Sequence, residues 1–162
     1  MSGIHMEPQF RFAEEKDTAL ILDYIKYLAE YEKMLDLVVA TEEDLRKWIF
    51  EKEKAEVLFI MENGNEVGFA VFFHNFSTFL GKAGIYLEDL YIKPEFRGKG
   101  YGKATFRKLA SIAKERGCGR VEWWCLDWNK PSIDFYLSLG AEPMDDWTVF
   151  RLSGKTLDAL AE

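Results

Sequence analysis

Cysteine and histidine are scarce in this sequence, which limits the metal and disulfide chemistry that it can support. Its 162 residues include two cysteines, Cys118 and Cys125, and two histidines, His5 and His74. These four residues cannot be arranged in the Cys/His spacing of a zinc site, so we expect no metal. Two cysteines do not make a disulfide framework either, and we interpret both as buried thiols in a reducing cytoplasm.

Long apolar runs and an excess of basic residues are also missing. No stretch approaches the roughly 20 apolar residues that span a bilayer, and the N-terminus has no signal-peptide pattern. We therefore expect no membrane partner. The chain carries 21 Lys and Arg against 28 Asp and Glu, a net charge of -7. A general nucleic-acid binder would carry a basic surface, so we expect no nucleic-acid partner. The acidity suits a cationic ligand, although solubility alone also explains it.

The composition that is present is that of a folded domain. Hydrophobic residues make up 48% of the chain and aromatic residues 15%, which excludes disorder as the main state. A chain of this length corresponds to one domain with a sizeable core. We predict a single domain over residues 6–162, and we interpret residues 1–5 as a remnant of an expression tag.

One stretch in the middle of the chain combines structural and chemical signals. The almost wholly apolar run from Ile85 to Ile92 predicts a strand covered on both faces, yet it contains Glu88 and Asp89. A carboxylate in such a strand is costly unless an interaction offsets its desolvation. A basic, glycine-rich segment follows and leads into a helical pattern of apolar residues. We expect the chemistry of the protein to lie in this stretch.

The glycine-rich segment has the features of an anion site. Three glycines at alternate positions let the backbone approach a ligand, and the first N–H groups of the helix that follows lack internal partners. Three cations around the same turn favour a pyrophosphate over a single carboxylate. The segment comprises Arg97, Gly98, Lys99, Gly100, Tyr101, Gly102 and Lys103.

The spacing of these glycines distinguishes between known phosphate motifs. It fits neither the P-loop nor the dinucleotide-binding pattern. What fits is R-x-x-G-x-G at Arg97, Gly100 and Gly102, between an acid-bearing strand and a helix. In this motif the chain resembles the GNAT superfamily of acetyl-CoA-dependent N-acetyltransferases. Four segments in family order narrow the resemblance to the diamine (spermidine/spermine) acetyltransferase branch, which also includes thialysine acetyltransferases: LAEYEKM (28–34), YLEDLYI (86–92), RGKGYG (97–102) and WNKPSIDFYLSLGA (128–141).

The order of predicted elements favours an α/β (α+β) fold. Two strands flank the hairpin signal Asn63-Gly64, a loop is predicted from Phe76 to Gly84, and strand, helix, strand, helix and strand follow. The last strand, Trp147 to Leu152, closes the sheet. This order predicts a mixed sheet with helices on both faces. The resemblance implies the GNAT-like acyl-CoA N-acyltransferase fold, whose mostly antiparallel central sheet splays at the cofactor site.

The resemblance also implies two catalytic side chains. It assigns the family's strand carboxylate to Glu88, which would take the proton of an amine through a water molecule. It assigns the general acid to Tyr136, whose phenol, with a reference pKa of about 10, would protonate a leaving thiolate. On the residues alone, Glu88 could instead form a salt bridge and Tyr136 could pack against the core. Because successive strand residues face opposite sides, Asp89 is the better candidate for a surface-pointing acid.

Two sets of ligand-binding residues follow from the same resemblance. Acetyl-CoA, the cosubstrate, would contact the backbone of a strand, the glycine-rich segment 97–103 and the start of a later helix. The strand and helix residues are Leu90, Tyr91, Ile92, Asn129, Pro131, Ser132 and Tyr136. The amine would contact two residues in the first of the four segments and the two strand acids, namely Tyr31, Glu32, Glu88 and Asp89.

The substrate implied is a small cationic primary amine: a diamine, a polyamine or a thialysine-like amino acid. The loop segment from Phe76 to Phe79 lacks the acid that polyamine-acetylating members carry there, so a shorter or less charged amine fits as well. Acetylation of a protein lysine or N-terminus, a non-catalytic acyl-CoA-binding domain and a protein-interaction module stay open. The family is usually dimeric, so we expect a homodimer. Because we interpret both cysteines as reduced thiols, we expect a cytoplasmic location.

Overall fold

The computed structural model describes residues 7–162 as two compact units. The first unit ends at Trp124 and the second begins at Cys125. The tag remnant predicted at residues 1–5 lies outside the described residues. Within the range 7–162, no helix has the length and apolar character needed to cross a membrane.

The first unit consists of a sheet and its helices. In chain order its elements are β1 (Gln9–Phe12), α1 (Thr18–Tyr31), α2 (Glu42–Leu45) with a π-helical continuation (Arg46–Glu51), β2 (Glu56–Glu62), β3 (Asn65–Ser77), β4 (Lys82–Ile92), α3 (Tyr101–Glu115) and β5 (Val121–Trp123). Short 3-10 turns lie at Glu15–Asp17, Leu35–Leu37 and Pro94–Phe96. The second unit contains α4 (Lys130–Ser138) and α5 (Gly154–Leu160).

The sheet has the strand order β1-β2-β3-β4-β5 and is mostly antiparallel. Asn63 and Gly64 both have positive φ, as a tight turn between β2 and β3 requires, which confirms the predicted hairpin. The chain then crosses from β4 through α3 to β5, which pairs with β4 in parallel. The predicted mixed, mostly antiparallel sheet is confirmed.

Helices cover both faces of this sheet. Phe59 belongs to a core cluster with Ile21 and Tyr24 of α1, whereas its neighbour Ile60 belongs to a cluster with Tyr101 of α3. Because successive strand residues point to opposite faces, α1 and α3 lie on opposite sides of β2. The strands approach closely at Gly68, where a Cβ would lie 2.6 Å from the Tyr91 carbonyl oxygen.

Two sequence predictions about the strands were wrong. Trp147 to Leu152 is rich in apolar residues, but within residues 7–162 it pairs with no strand and its four apolar side chains are exposed. An apolar run is not sufficient, because a strand also needs a hydrogen-bonded neighbour. The loop predicted from Phe76 to Gly84 is mostly strand, since Phe76 pairs with Ala83 and Ser77 with Lys82.

Candidate active site

The sheet opens beside the two acids of β4. Strand β5 pairs with β4 only at Ile85, Tyr86 and Leu87. Beyond Leu87, β4 continues to Ile92 with β3 on one side, and no strand described in residues 7–162 pairs with its other edge. A strand edge of this kind presents backbone N–H and C=O groups that can pair with an extended ligand carrying amide groups.

A β-bulge lies at the point where the sheet opens. Leu87 pairs with Phe72 and Asp89 pairs with Val71, so Glu88 has no residue opposite it on β3. A bulge adds one residue to a strand and bends it, so strict alternation of side chains does not continue through it. Leu87 is buried, Glu88 is exposed and Asp89 is partly buried. The alternation that would turn Asp89 towards the surface therefore does not apply.

Asp89 lines a cleft between β4 and the C-terminal half of α1. The cleft has a volume of about 190 Å³. Glu32, immediately after α1, contributes a second carboxylate, and the other lining side chains are apolar. These are Ile25, Leu28, Ala29, Met34, Leu37 and Val38. The spacing of Ile25, Leu28 and Ala29 identifies a helix face, but it does not distinguish a cleft wall from ordinary core.

Three carboxylates influence one another at this cleft. Burial raises the pKa of Asp89 to about 7, and the negative charges of Glu88 and Glu32 contribute to the increase. Burial, followed by the charge of Glu88, also raises the pKa of Glu32. Carboxylates that are poorly solvated and close together favour protonation or a bound cation. The cleft therefore suits an ammonium group with an aliphatic body.

The glycine-rich turn leaves main-chain donors available before α3. Gly98 (φ 77°) and Gly100 (φ 83°) adopt the left-handed conformation, and Gly100 caps the helix without a side-chain hydrogen bond. The amides of residues 98–103 donate to no backbone acceptor among the described residues. A Cβ at Gly98 or Gly100 would meet no atom within 4 Å, so the turn faces open space. Such amides at a helix start can bind an anion.

The three cations predicted around this turn have different surroundings. Arg97 lies over the rings of Tyr31 and Tyr91, at 5.3 and 5.2 Å from their centroids. Lys99 forms an ion pair with Glu62 at 3.0 Å, and the Tyr101 hydroxyl donates to the same carboxylate oxygen at 2.5 Å. Lys103 is exposed and forms no ion pair with the described residues. Glu62 therefore offsets part of the predicted positive charge.

Glu62 lies next to the glycine-rich turn, although no motif in the sequence indicates it. It lies 37 positions before Lys99 in the chain and ends β2, next to the hairpin turn. Its hydrogen bond with Tyr101 raises the pKa of that phenol to about 12. No local spacing connects residues so far apart, and only the pairing of β2 in the sheet brings Glu62 to the start of α3.

The predicted residues of the second unit lie at or within α4. Asn129 is buried and caps this helix, its side-chain oxygen accepting a hydrogen bond from the Ser132 amide at 3.4 Å. Pro131 occupies the first turn, as predicted. Tyr136 is partly buried and its ring centroid lies 5.7 Å from that of Phe135. The cofactor contacts of these residues and the general-acid role of Tyr136 stay predictions.

Comparison with known proteins identifies the family. The profile of the Acetyltransferase (GNAT) family matches residues 21–141. A thialysine N-epsilon-acetyltransferase from Bos taurus is 38% identical over 163 residues, covering 93% of this chain and 95% of that protein. A spermidine/spermine N(1)-acetyltransferase-like protein 1 from Homo sapiens is 32% identical over 160 residues, covering 92% of this chain and 23% of that protein.

A solved structure agrees with this result. An integron cassette protein from the mobile metagenome of V. cholerae superposes with a TM-score of 0.80 and 26% identity, covering 97% of this chain and 99% of that one. The open, mostly antiparallel fold is thus shared with a solved structure over nearly the whole chain. The chain belongs to the GNAT acetyltransferase family and is an N-acetyltransferase.

Proposed function

We propose that this protein transfers the acetyl group of acetyl-CoA to a primary amine of a small cationic substrate. The candidate substrates are a diamine, a polyamine or a thialysine-like amino acid. The observation on which the proposal rests is the acid-lined cleft of Asp89 and Glu32 beside the open edge of β4. A cationic amine relieves the repulsion between these carboxylates, and the open edge supplies a site for an acyl donor alongside it.

Acetyl-CoA has two binding surfaces in this proposal. Its diphosphate lies against the amides of residues 98–103, which have no backbone acceptor among the described residues. Its pantetheine arm runs along the unpaired edge of β4 and exchanges hydrogen bonds with the backbone of Leu90, Tyr91 and Ile92. The resemblance also assigns cofactor contacts to four residues of the second unit, namely Asn129, Pro131, Ser132 and Tyr136. Because Lys99 forms an ion pair with Glu62, Lys103 supplies positive charge to the diphosphate in its place.

The chemical step is direct attack of the amine on the thioester. The ammonium first gives a proton to Glu88 through a water molecule, since only the neutral amine is nucleophilic. The amine nitrogen then bonds to the acetyl carbon, the carbon–sulfur bond breaks, and the nitrogen loses its second proton to solvent, from which Tyr136 later recovers the proton that it donates. Tyr136 donates a proton to the departing thiolate. Exposure of Glu88 next to the cleft supports its role, because a surface carboxylate can pass the proton to solvent.

The cleft favours a short aliphatic substrate. Its apolar wall from α1 and the following turn matches methylene groups, and Asp89 and Glu32 provide its two carboxylates. The turn between β3 and β4 contains Thr78, Phe79, Leu80 and Gly81, and no acid. The names of the relatives, thialysine and spermidine/spermine acetyltransferases, are consistent with this substrate range.

A panel of amines with acetyl-CoA tests the proposal. We expect release of free thiol with at least one of putrescine, spermidine and thialysine. The alternative is acetylation of a protein lysine or N-terminus, which would appear as turnover of peptides and none of free amines. Absence of turnover with every small amine would contradict the proposal.

The role of Glu88 is tested by Glu88→Gln with an active amine. Loss of the proton acceptor should lower kcat by about 100-fold or more. The matched control is Glu115→Gln, which removes an exposed carboxylate at the far end of α3 and should leave kcat unchanged. A Glu88→Gln variant with the kcat of the unchanged protein would eliminate Glu88 as the base.

We also propose a homodimer and a cytoplasmic location. The dimer follows from the resemblance to this family, and the location from the predicted reduced state of Cys118 and Cys125, which are both partly buried. Light scattering coupled to gel filtration measures the first directly. A mass of about 19 kDa, that of the 18.9 kDa chain, would contradict the dimer.

A further inference from the structure

The guanidinium of Arg97 lies over two aromatic rings. It is 5.3 Å from the centroid of Tyr31 and 5.2 Å from that of Tyr91. Its Nε donates to the Ile92 carbonyl oxygen at 2.8 Å. The two terminal nitrogens form no hydrogen bond or ion pair with the described residues, and a guanidinium presents such N–H groups in a fixed plane.

The two rings differ in how firmly they are held. Tyr91 lies on β4 and packs against Tyr24 and Tyr27 of α1, with centroid distances of 6.2 and 6.1 Å. Tyr31 is the last residue of α1 and is 39% exposed. Tyr91 is therefore firmly packed beneath Arg97. Tyr31 is held less firmly, because it ends a helix and is partly exposed.

The end of α1 contacts both predicted ligand sites. Glu32 lines the acidic cleft, and the residue before it, Tyr31, lies against Arg97 at the start of the glycine-rich turn. Tyr31 itself is not among the residues that line the cleft. Tyr31 is therefore closer to the predicted diphosphate site than to the predicted amine site.

We infer that Tyr31 is a positioning residue for acetyl-CoA, which holds Arg97 with its N–H edges towards the diphosphate. The inference rests on the proposed function, since it requires that acetyl-CoA binds at the turn. Tyr31 and Glu32 were both predicted to bind the amine, and on this inference only Glu32 keeps that role. Stacking of a cation on an exposed ring contributes about 0.5 to 1 kcal/mol, so the expected effects are moderate.

A pair of substitutions at Tyr31 tests this role. Tyr31→Leu removes the ring and should raise the KM for acetyl-CoA and the Kd for coenzyme A about three- to fivefold, with the KM for the amine within twofold. Tyr31→Phe keeps the ring and should stay within twofold of the unchanged protein on all three constants. Trp48→Leu is the control for loss of an exposed aromatic ring, because Trp48 is 50% exposed and lies against Lys47 rather than Arg97.

A double-mutant cycle separates positioning from a general structural role. In an Arg97→Leu background, Tyr31→Leu should change the Kd for coenzyme A by less than 1.5-fold, because the residue that it positions is gone. Equal losses in both backgrounds, or a rise confined to the KM for the amine, would overturn the inference. Failure of the unchanged protein to bind coenzyme A would overturn the proposed function as well.

Discussion

At the scale of single residues, Asp89 shows how neighbours change the chemistry of a common side chain. Its carboxyl group is partly buried in a cleft with an apolar wall, and Glu32 and Glu88 add negative charge. Each effect disfavours ionisation, and together they raise the pKa of Asp89 to about 7. The group therefore gains its charge in the pH range in which the enzyme is expected to work.

The activity of an Asp89→Asn variant tests this change in charge. In the unchanged protein, kcat/KM for the amine should rise as pH increases through about 7, because ionised Asp89 attracts the ammonium group. Asp89→Asn should lack this step and lose about tenfold in kcat/KM at pH 8. Initial rates between pH 5.5 and 9 measure both effects. An unchanged step near pH 7 in the variant would assign it to another group.

The same substitution should lower activity at pH 8 but raise the free energy of unfolding there, relative to the unchanged protein. Because the folded-state pKa is above the ordinary value of 3.8, the folded protein binds more protons than the unfolded chain between about pH 4 and pH 7. The contribution of Asp89 to stability is thus full at low pH and lost as pH rises through about 7. We expect Asp89→Asn to gain about 2 to 3 kcal/mol in unfolding free energy, relative to the unchanged protein, on going from pH 5 to pH 8. Urea titrations at the two pH values provide the comparison.

At the scale of elements, the start of α3 owes its geometry to glycine. Gly100 caps the helix at φ 83°, a conformation that costs other residues about 1 to 2 kcal/mol. The turn thereby directs main-chain amides towards open space rather than towards a capping side chain. Glycine thus has two effects here: it allows a left-handed turn without strain, and it leaves the amides available.

Matched substitutions at the two ends of α3 separate these consequences. Gly100→Ala and Gly117→Ala both place a Cβ at positive φ, with no atom within 4 Å of it. Each should lower the free energy of unfolding by about 1 to 2 kcal/mol. Only Gly100→Ala should weaken coenzyme A binding, by tenfold or more, because its Cβ would lie in the space needed by the diphosphate. Equal coenzyme A affinity in the two variants would move the diphosphate away from this turn.

At the scale of the whole molecule, ligand binding should appear as stability. A ligand that binds only the folded state at 100 times its Kd adds about 2.7 kcal/mol, which for a chain of this length raises Tm by about 5 to 10 °C. We expect coenzyme A to produce such a shift in a thermal melt. Pantetheine lacks the diphosphate and should produce a much smaller one. A zero shift with coenzyme A would argue for a protein-interaction module instead.

Much of the architecture was predictable because its signals are local. The hairpin at Asn63-Gly64, the capping box of Thr41 and Asp44 and the helix after the glycine-rich turn all depend on residues within a few positions of one another. The strand predicted from Trp147 to Leu152 failed for the opposite reason. Strand pairing depends on a distant neighbour, which a pattern of six residues does not specify.

The sequence by itself determined the family, the fold class and the position of the glycine-rich turn before α3, since motif spacing and glycine conformations are properties of short segments. Tertiary structure alone decided which carboxylates share a cleft, that Glu62 neutralises Lys99, and that Tyr31 contacts Arg97. It also decided the bulge at Glu88, which breaks the alternation assumed for β4. The physical reason is that burial and charge interactions depend on distance in space, and strand register and helix docking set that distance.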